Sequence, residues 1–314
     1  MSISFKEDHI SQIPALLMLE KLGYTYLTPD EALALRGGNL ANVLLEPVLR
    51  KQLAAINVVQ VSSVRTTVFS EQNITAGIDA LRNIPMDEGF MEASQTVYDL
   101  LTSGKTLEQI VDGDRKSFVM QYIDWKNPRN NVFHVTEEFA VSRTGMTDTY
   151  RPDIVLFVNG IPLCVIECKR PDVKDSIEQA ISQHLRNQKA DGIRSLYLYS
   201  TLLLAINRQE GSYATTATPE KFWARWREQF ADREEEVRYR QELERVVNEP
   251  LLDDKLFGER FGYVRRNFEE LYKQPVTPSV QDEYLYNLCR PERLLQLMYG
   301  FTLYDDGIKK VARY

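Results

Sequence analysis

The residues best suited to chemistry lie between Tyr150 and Pro171, in the segment YRPDIVLFVNGIPLCVIECKRP. Two nearly continuous apolar runs flank Asn159-Gly160, a dipeptide that favours a tight hairpin because both residues tolerate positive φ. Runs this apolar belong to strands buried on both faces. Into their outer ends are set Asp153, Glu167, Lys169 and Arg170. A charge in a buried sheet needs a partner, and a metal ion is such a partner. Side chains alternate along a strand, so Glu167 and Lys169 point to one face and Cys168 to the other. Two carboxylates beside an ammonium form a hard, oxygen-rich site suited to Mg²⁺, which takes one or two carboxylates and keeps its waters for a substrate phosphate. Asp153 and Glu167 then hold the ion, which lowers the pKa of a bound water and neutralises phosphoryl oxygens. Lys169 orients the attacking water or stabilises the pentavalent state.

Register sets a condition on this site. A strict two-residue turn pairs Val158 with Ile161 and leaves Asp153 opposite Ile166, on the wrong face. One extra turn residue, or a bulge near Pro162, brings Asp153 opposite Glu167. The sequence therefore predicts an odd loop or a bulge in this hairpin.

Around it, strand-like patterns cover 132–141, 153–158, 161–168 and 195–206. Between the last two, a polar helix is expected over about 176–189, capped by Asp175 or Ser176, with Ile177, Ile181 and Leu185 facing inward. Helical patterns precede this core at 5–23, 39–55 and 89–112, and follow it at 221–230 and 232–247. The stretch 274–280, with Pro275 and Pro278, reads as a linker. The fold expected is α/β: a central mixed β-sheet flanked by helices, with extra helical N- and C-terminal segments.

Composition sets outer limits. A 314-residue chain with 43% hydrophobic and 26% charged residues can bury one large core or two modest ones. No apolar run approaches the roughly 18 residues of a membrane span, and the start MSISFKEDHI lacks the pattern of a secretion signal; a cytoplasmic protein is expected. Cys164, Cys168 and Cys289 read as reduced core thiols, the first two lying about 13 Å apart along a strand. The net charge of −7 argues against a self-sufficient grip on DNA, whose affinity comes largely from Lys and Arg on phosphates.

The surrounding motifs overrule that charge. The pattern P-D followed by E-C-K resembles the PD-(D/E)xK nuclease motif. Far more specifically, DWKNPRNNVFHVTEEFAV, YRPDIVLFVNGIPLCVIECKRP, QHLRNQK and LYLYSTLLLAINRQEGSYATTATPEKFWARW resemble the N-terminal nuclease domain of the restriction (motor) subunit of type I restriction enzymes. The closing GFTLYDDGIKKVARY resembles the lead-in to that subunit's helicase motor. The resemblance covers most of residues 5–314 and implies a restriction-endonuclease-like core. It implies an endonuclease domain over 1–248, with a helical part at 1–117 and the nuclease core at 118–248. Residues 249–314 are then a helical linker into a motor domain.

It also implies Mg²⁺-dependent cleavage of double-stranded DNA, alongside methyltransferase and specificity subunits and driven by an ATP-dependent motor outside this segment. Carried onto this sequence, Asp153 and Glu167 are metal ligands with the Cys168 carbonyl, and Lys169 is the catalytic lysine. Gln183 is a further catalytic residue, opening a Q-x-x-x-Y motif in which Asn187 stands in place of tyrosine. Arg151, Arg170, Gln179 and Arg186 are candidate DNA contacts, and a first-helix glutamate, Glu7 or Glu20, is a candidate to join the site. Two other readings are a non-catalytic docking module with a nuclease fold and a stand-alone structure-specific nuclease.

Two features invite other chemistry. Ser103-Gly104-Lys105-Thr106 imitates the end of a phosphate-binding loop, but Asp99 stands where its first glycine belongs and a helix precedes it; a helix–turn–helix connection is expected there, and no ATP site in this chain. The histidines His9, His134 and His184 lack ligand spacing for zinc and read as structural.

Overall fold

The computed structural model describes residues 11–62, 65–250 and 255–311. Its centre is a six-stranded mixed sheet in the order β1-β6-β9-β10-β11-β12, formed by Thr25–Leu27 (β1), Phe133–Glu137 (β6), Ile154–Val158 (β9), Ile161–Cys168 (β10), Leu202–Ile206 (β11) and Gly211–Ala214 (β12). Two of the five pairings are parallel, β1 with β6 and β10 with β11. Every residue of β9, β10 and β11 is buried, as the unbroken apolar runs require. The expected α/β fold with a mixed central sheet is thus observed.

Helices Ile13–Lys21 (α1), Pro29–Ala34 (α2), Glu46–Ile56 (α3), Glu71–Arg82 (α4) and Phe90–Ser103 (α5) occupy the N-terminal third, with hairpins Val58–Ser62 to Arg65–Val68 (β2, β3) and Lys105–Val111 to Asp114–Met120 (β4, β5). A short pair, Val141–Ser142 and Thr149–Tyr150 (β7, β8), precedes β9. Helices Ser176–Asn187 (α6) and Arg194–Tyr197 (α7) join β10 to β11, and α6 packs on both strands. Arg233–Val247 (α8), Arg265–Leu271 (α9), Val280–Cys289 (α10), Pro291–Gly300 (α11) and the hairpin Thr302–Asp305 to Ile308–Val311 (β13, β14) complete the chain.

Several elements differ from expectation. The 89–112 pattern is a helix only to Ser103. Gly104, at φ +78, ends α5, and the alternating exposure of Lys105–Val111 is that of an edge strand. The Ser103–Thr106 turn therefore runs from helix to strand, where a phosphate-binding loop runs from strand to helix. The 132–141 run breaks at Glu138, whose φ is +50. Of 195–206 only the second half is strand, and 221–230 holds a single 3₁₀ turn followed by an extended segment in which Ala224 bridges Tyr213. The 39–55 helix begins at Glu46, with Pro47 in its first turn. Residues 5–10 of the first expected helix lie outside the described residues.

The segment after 248 is not purely helical, since it ends in the β13–β14 hairpin. It also packs on the core. The Gln281 amide donates to the Ser11 carbonyl at 2.9 Å, and the Tyr24 hydroxyl to the Cys289 carbonyl at 2.7 Å, joining α10 to the α1–β1 region. All three cysteines are buried free thiols. No helix among the described residues is long and apolar enough to cross a membrane.

Candidate active site

The hairpin that carries the acids has the irregularity its register demands. Asn159 and Gly160 both adopt positive φ, +52 and +84, and pair Val158 with Ile161 in a two-residue turn. Between Pro162 and Cys164 the register shifts by one, so that Ile166 faces Ile154. The next pair along carries Asp153 alongside Glu167. Asn159 does more than turn the chain: its amide donates to the Tyr122 carbonyl at 3.0 Å and to Asn131 Oδ1 at 2.8 Å, tying the turn into the core.

Asp153 Oδ2 accepts the Cys168 backbone N–H at 2.7 Å and lies 3.6 Å from Lys169 Nζ. Glu167 is fully buried, and neither of its carboxylate oxygens has a hydrogen-bond donor among the described residues. Burial, and after it the Asp153 carboxylate, push Glu167 well above the usual carboxylate range, with Lys169 and Arg186 pulling the other way. The neighbour facing it is thus another acid, with which it can share a proton but not a stable ionised hydrogen bond. A buried carboxylate in that state costs stability, and a hard cation would remove the cost. Oxygen donors beside a lysine fit a small divalent ion that keeps much of its water. Among the described residues no group of three or more His, Cys, Asp or Glu side chains is gathered for metal binding, so such an ion would rest on two carboxylates, a carbonyl and water.

The first turn of the helical region clamps both strand ends. Ser11 Oγ donates to the Lys169 carbonyl at 2.7 Å, and Gln12 Nε2 to the Asp153 carbonyl at 2.9 Å. Neither is among the residues the sequence singles out; the one signal it carries is their polarity beside the apolar Ile13–Leu19 run. Two further acids adjoin. The Glu138 backbone N–H donates to the Asp153 carbonyl at 3.0 Å, and burial, then Asp153 and Glu137, raise the Glu138 carboxyl. Glu137 is fully buried and accepts from Tyr26 Oη at 3.0 Å and Arg260 Nε at 2.9 Å. Glu137, Glu138 and Arg260, with Gln12, Asp153, Cys168 and Phe261, line a cavity of 310 Å³.

The remaining candidates divide. Arg186 is exposed on α6, its charge acting on Glu167. Gln183, one turn earlier, is half-buried. Arg151 is exposed on the rim of a neighbouring 530 Å³ cavity that also includes Glu138 and Arg260. Arg170 is paired with Asp172, and Gln179 donates to the Lys174 carbonyl at 3.0 Å, bracing the loop before α6. Glu20 is buried on α1, its charge acting on Tyr26, whereas Glu7 lies outside the described residues. Asp175 is the N-cap residue of α6 but gives it no side-chain cap; Ser176 instead accepts from Asn207 at 2.8 Å.

Comparison with known proteins follows the same segment. The family described as type I restriction enzyme R protein N terminus matches residues 4–222. The MjaIXP and MjaVIIIP type I restriction enzyme endonuclease subunits of Methanocaldococcus jannaschii are 27% and 30% identical over 70% and 54% of this chain. The HindI endonuclease subunit of Haemophilus influenzae is 29% identical over 63%. The aligned parts make up 20%, 15% and 18% of those relatives' lengths, so the chain spans only a fraction of each. With the family profile matching well over half its residues, the chain belongs to the type I restriction enzyme R proteins, of which it represents the N-terminal region.

Proposed function

We propose that this chain is the DNA-cutting module of a type I restriction–modification complex, hydrolysing phosphodiesters of double-stranded DNA with Mg²⁺ in a PD-(D/E)xK site. The observation that carries this reading is Glu167, fully buried with two oxygens lacking donors among the described residues, set beside Asp153 and Lys169 at adjoining strand ends. Asp153, Glu167 and the Cys168 carbonyl would hold the ion, which when bound supplies an activated water and neutralises charge on the phosphate. The Asp153 carboxylate is fixed in place by the Cys168 N–H. Lys169, anchored through its carbonyl by Ser11, presents its ammonium to the charge that develops on the phosphoryl oxygens. Gln183 and Arg151 fall to substrate contact. On this reading residues 1–248 form the nuclease domain and 249–314 lead toward an ATP-driven motor. Methyltransferase and specificity subunits provide sequence recognition in the cytoplasm. Such a division of labour accommodates the acidic composition, since base readout and most of the phosphate grip lie elsewhere.

Thermal unfolding with added metal tests the site. Mg²⁺ or Mn²⁺ at about a hundred times its Kd stabilises by roughly 2.7 kcal/mol, a rise of a few degrees. Glu167→Ala removes that rise. In the assembled complex Lys169→Ala is expected to cost at least about 10²-fold in cleavage. A protein that binds no divalent ion, or a lysine variant that cuts at the native rate, rejects the reading in favour of a docking role without catalysis.

A further inference from the structure

Behind the acid pair runs a buried chain of polar groups whose hydrogen-bond directions are all determined. The Leu204 carbonyl can only accept, so His184 Nε2, 2.9 Å away, carries the ring proton. The neutral ring's Nδ1 is then an acceptor, and the Tyr197 hydroxyl donates to it across 3.0 Å. The Tyr197 oxygen in turn faces the Asn187 amide at 3.5 Å. With its amide nitrogen so oriented, Asn187 presents Oδ1 to Arg186, accepting from Nε at 3.4 Å and Nη2 at 3.2 Å. His184, Asn187 and Tyr197 are fully buried. A second hold comes from Tyr150, whose ring lies 4.5 Å from the Arg186 guanidinium. Arg143 lies at the same distance from that ring, but is neutralised by Asp148 at 3.0 Å and Asp191 at 2.6 Å. Arg186 forms no ion pair among the described residues, and its charge acts on Glu167. A guanidinium held by a stack and an amide, with donors left over and a buried acid nearby, is prepared for an anion that is not part of the protein.

We propose that Arg186 binds a backbone phosphate of the nucleic acid beside the Asp153/Glu167 pair, and that Asn187, Tyr197 and Tyr150 are the positioning residues that aim it. The inference rests on the nuclease reading and deepens it. Asn187, which departs from the tyrosine of the helix motif, takes its hydroxyl partner from α7 instead.

A double-mutant cycle on duplex binding tests the assignment. The chain is titrated against a labelled duplex of about 30 base pairs, with Ca²⁺ replacing Mg²⁺, at several salt concentrations. Arg186→Ala is expected to weaken binding about tenfold and to lower the slope of log K against log salt by about one. Arg186→Lys keeps the slope but recovers only part of the affinity. Tyr197→Phe removes one hydroxyl, weakens binding by about three- to tenfold at unchanged slope, and adds nothing further in the Arg186→Ala background. Losses that add, or an Arg186→Ala protein with native affinity and slope, overturn the proposal while leaving the nuclease reading intact. A native chain that binds no duplex even at low salt overturns this proposal, whereas the nuclease reading, in which other subunits supply most of the phosphate grip, stands or falls on the metal and Lys169→Ala tests. Should Tyr197→Phe fail to fold, Tyr150→Leu removes the stacking partner from half-buried ground, and the same cycle with Arg186→Ala decides.

Discussion

Glu167 and His184 are buried titratable groups with opposite consequences for stability. The Glu167 carboxyl is raised in the fold above its ordinary value. Its contribution is therefore fully present below the ordinary carboxylate range and is lost as pH rises through the folded value. In the absence of divalent ions, Glu167→Gln is expected to raise the melting temperature at neutral pH and to weaken this pH dependence. A native protein equally stable, or more stable, than the glutamine variant under those conditions contradicts an unpartnered carboxylate. His184 behaves in the reverse sense. Burial pulls its imidazole from 6.5 down to about 4, so its stability is present above about 6.5 and is lost as pH falls toward 4. The gap corresponds to on the order of 3 kcal/mol. In His184→Gln the melting temperature at pH 7 drops, but its decline between pH 6.5 and 4 is shallower than in the native chain; an unchanged decline disproves the assignment.

At the level of elements, the β9–β10 hairpin is held from outside as well as by its own pairing. The Leu45 N–H donates to the Gly160 carbonyl at 2.9 Å, so the start of α3 rides on the turn. A Cβ on Gly160 would lie 2.6 Å from the Leu45 carbonyl oxygen and 3.1 Å from the Leu49 nitrogen, on a backbone at φ +84. Both neighbours are backbone and cannot rotate away. Gly160→Ala is therefore expected to destabilise by about 2 kcal/mol or more, read as a fall of several degrees in melting temperature. A drop of under a degree would show that α3 yields easily. The bulge beside Pro162 matters as much, since it alone brings Asp153 to the Glu167 face.

On the scale of the whole molecule, the C-terminal segment supports the end of the sheet that bears Asp153 and Glu167. Gln281 holds the Ser11 carbonyl, and the Ser11 hydroxyl holds the Lys169 carbonyl. On the far edge, Tyr284 donates to the Gly211 carbonyl at 2.5 Å and accepts from the Trp226 N–H at 2.9 Å. Leu285, Leu288, Leu294 and Cys289 are fully buried, each large aliphatic side chain contributing about 1.5–3 kcal/mol. A chain ending at residue 248 is expected to melt far lower and to lose its stabilisation by divalent ions, although it keeps Asp153, Glu167 and Lys169. Unfolding monitored by circular dichroism with and without Mn²⁺ checks this, and an unchanged response would make the segment a mere tether.

Much of this protein is written locally. The turn at Asn159-Gly160, the fully buried β9–β10 runs, α8 and the inward face of α6 follow from turn chemistry and periodicity, and the need for a bulge follows from two carboxylates that must share a face. Other features depend on partners distant in the chain. Ser11 reaches Lys169, Gln12 and Glu138 reach Asp153, and Glu137 joins the adjoining cavity, because strands and a helix far apart in sequence converge at one end of the central strands. The strand at 105–111 wins over helix through pairing with 114–120, which supplies the hydrogen bonds a propensity count ignores. Residue types and spacing dictate which groups can bind charge. Which of them share a desolvated site, and which already have a partner, is decided only when the sheet closes, because burial and pairing are properties of neighbours that the linear order does not contain.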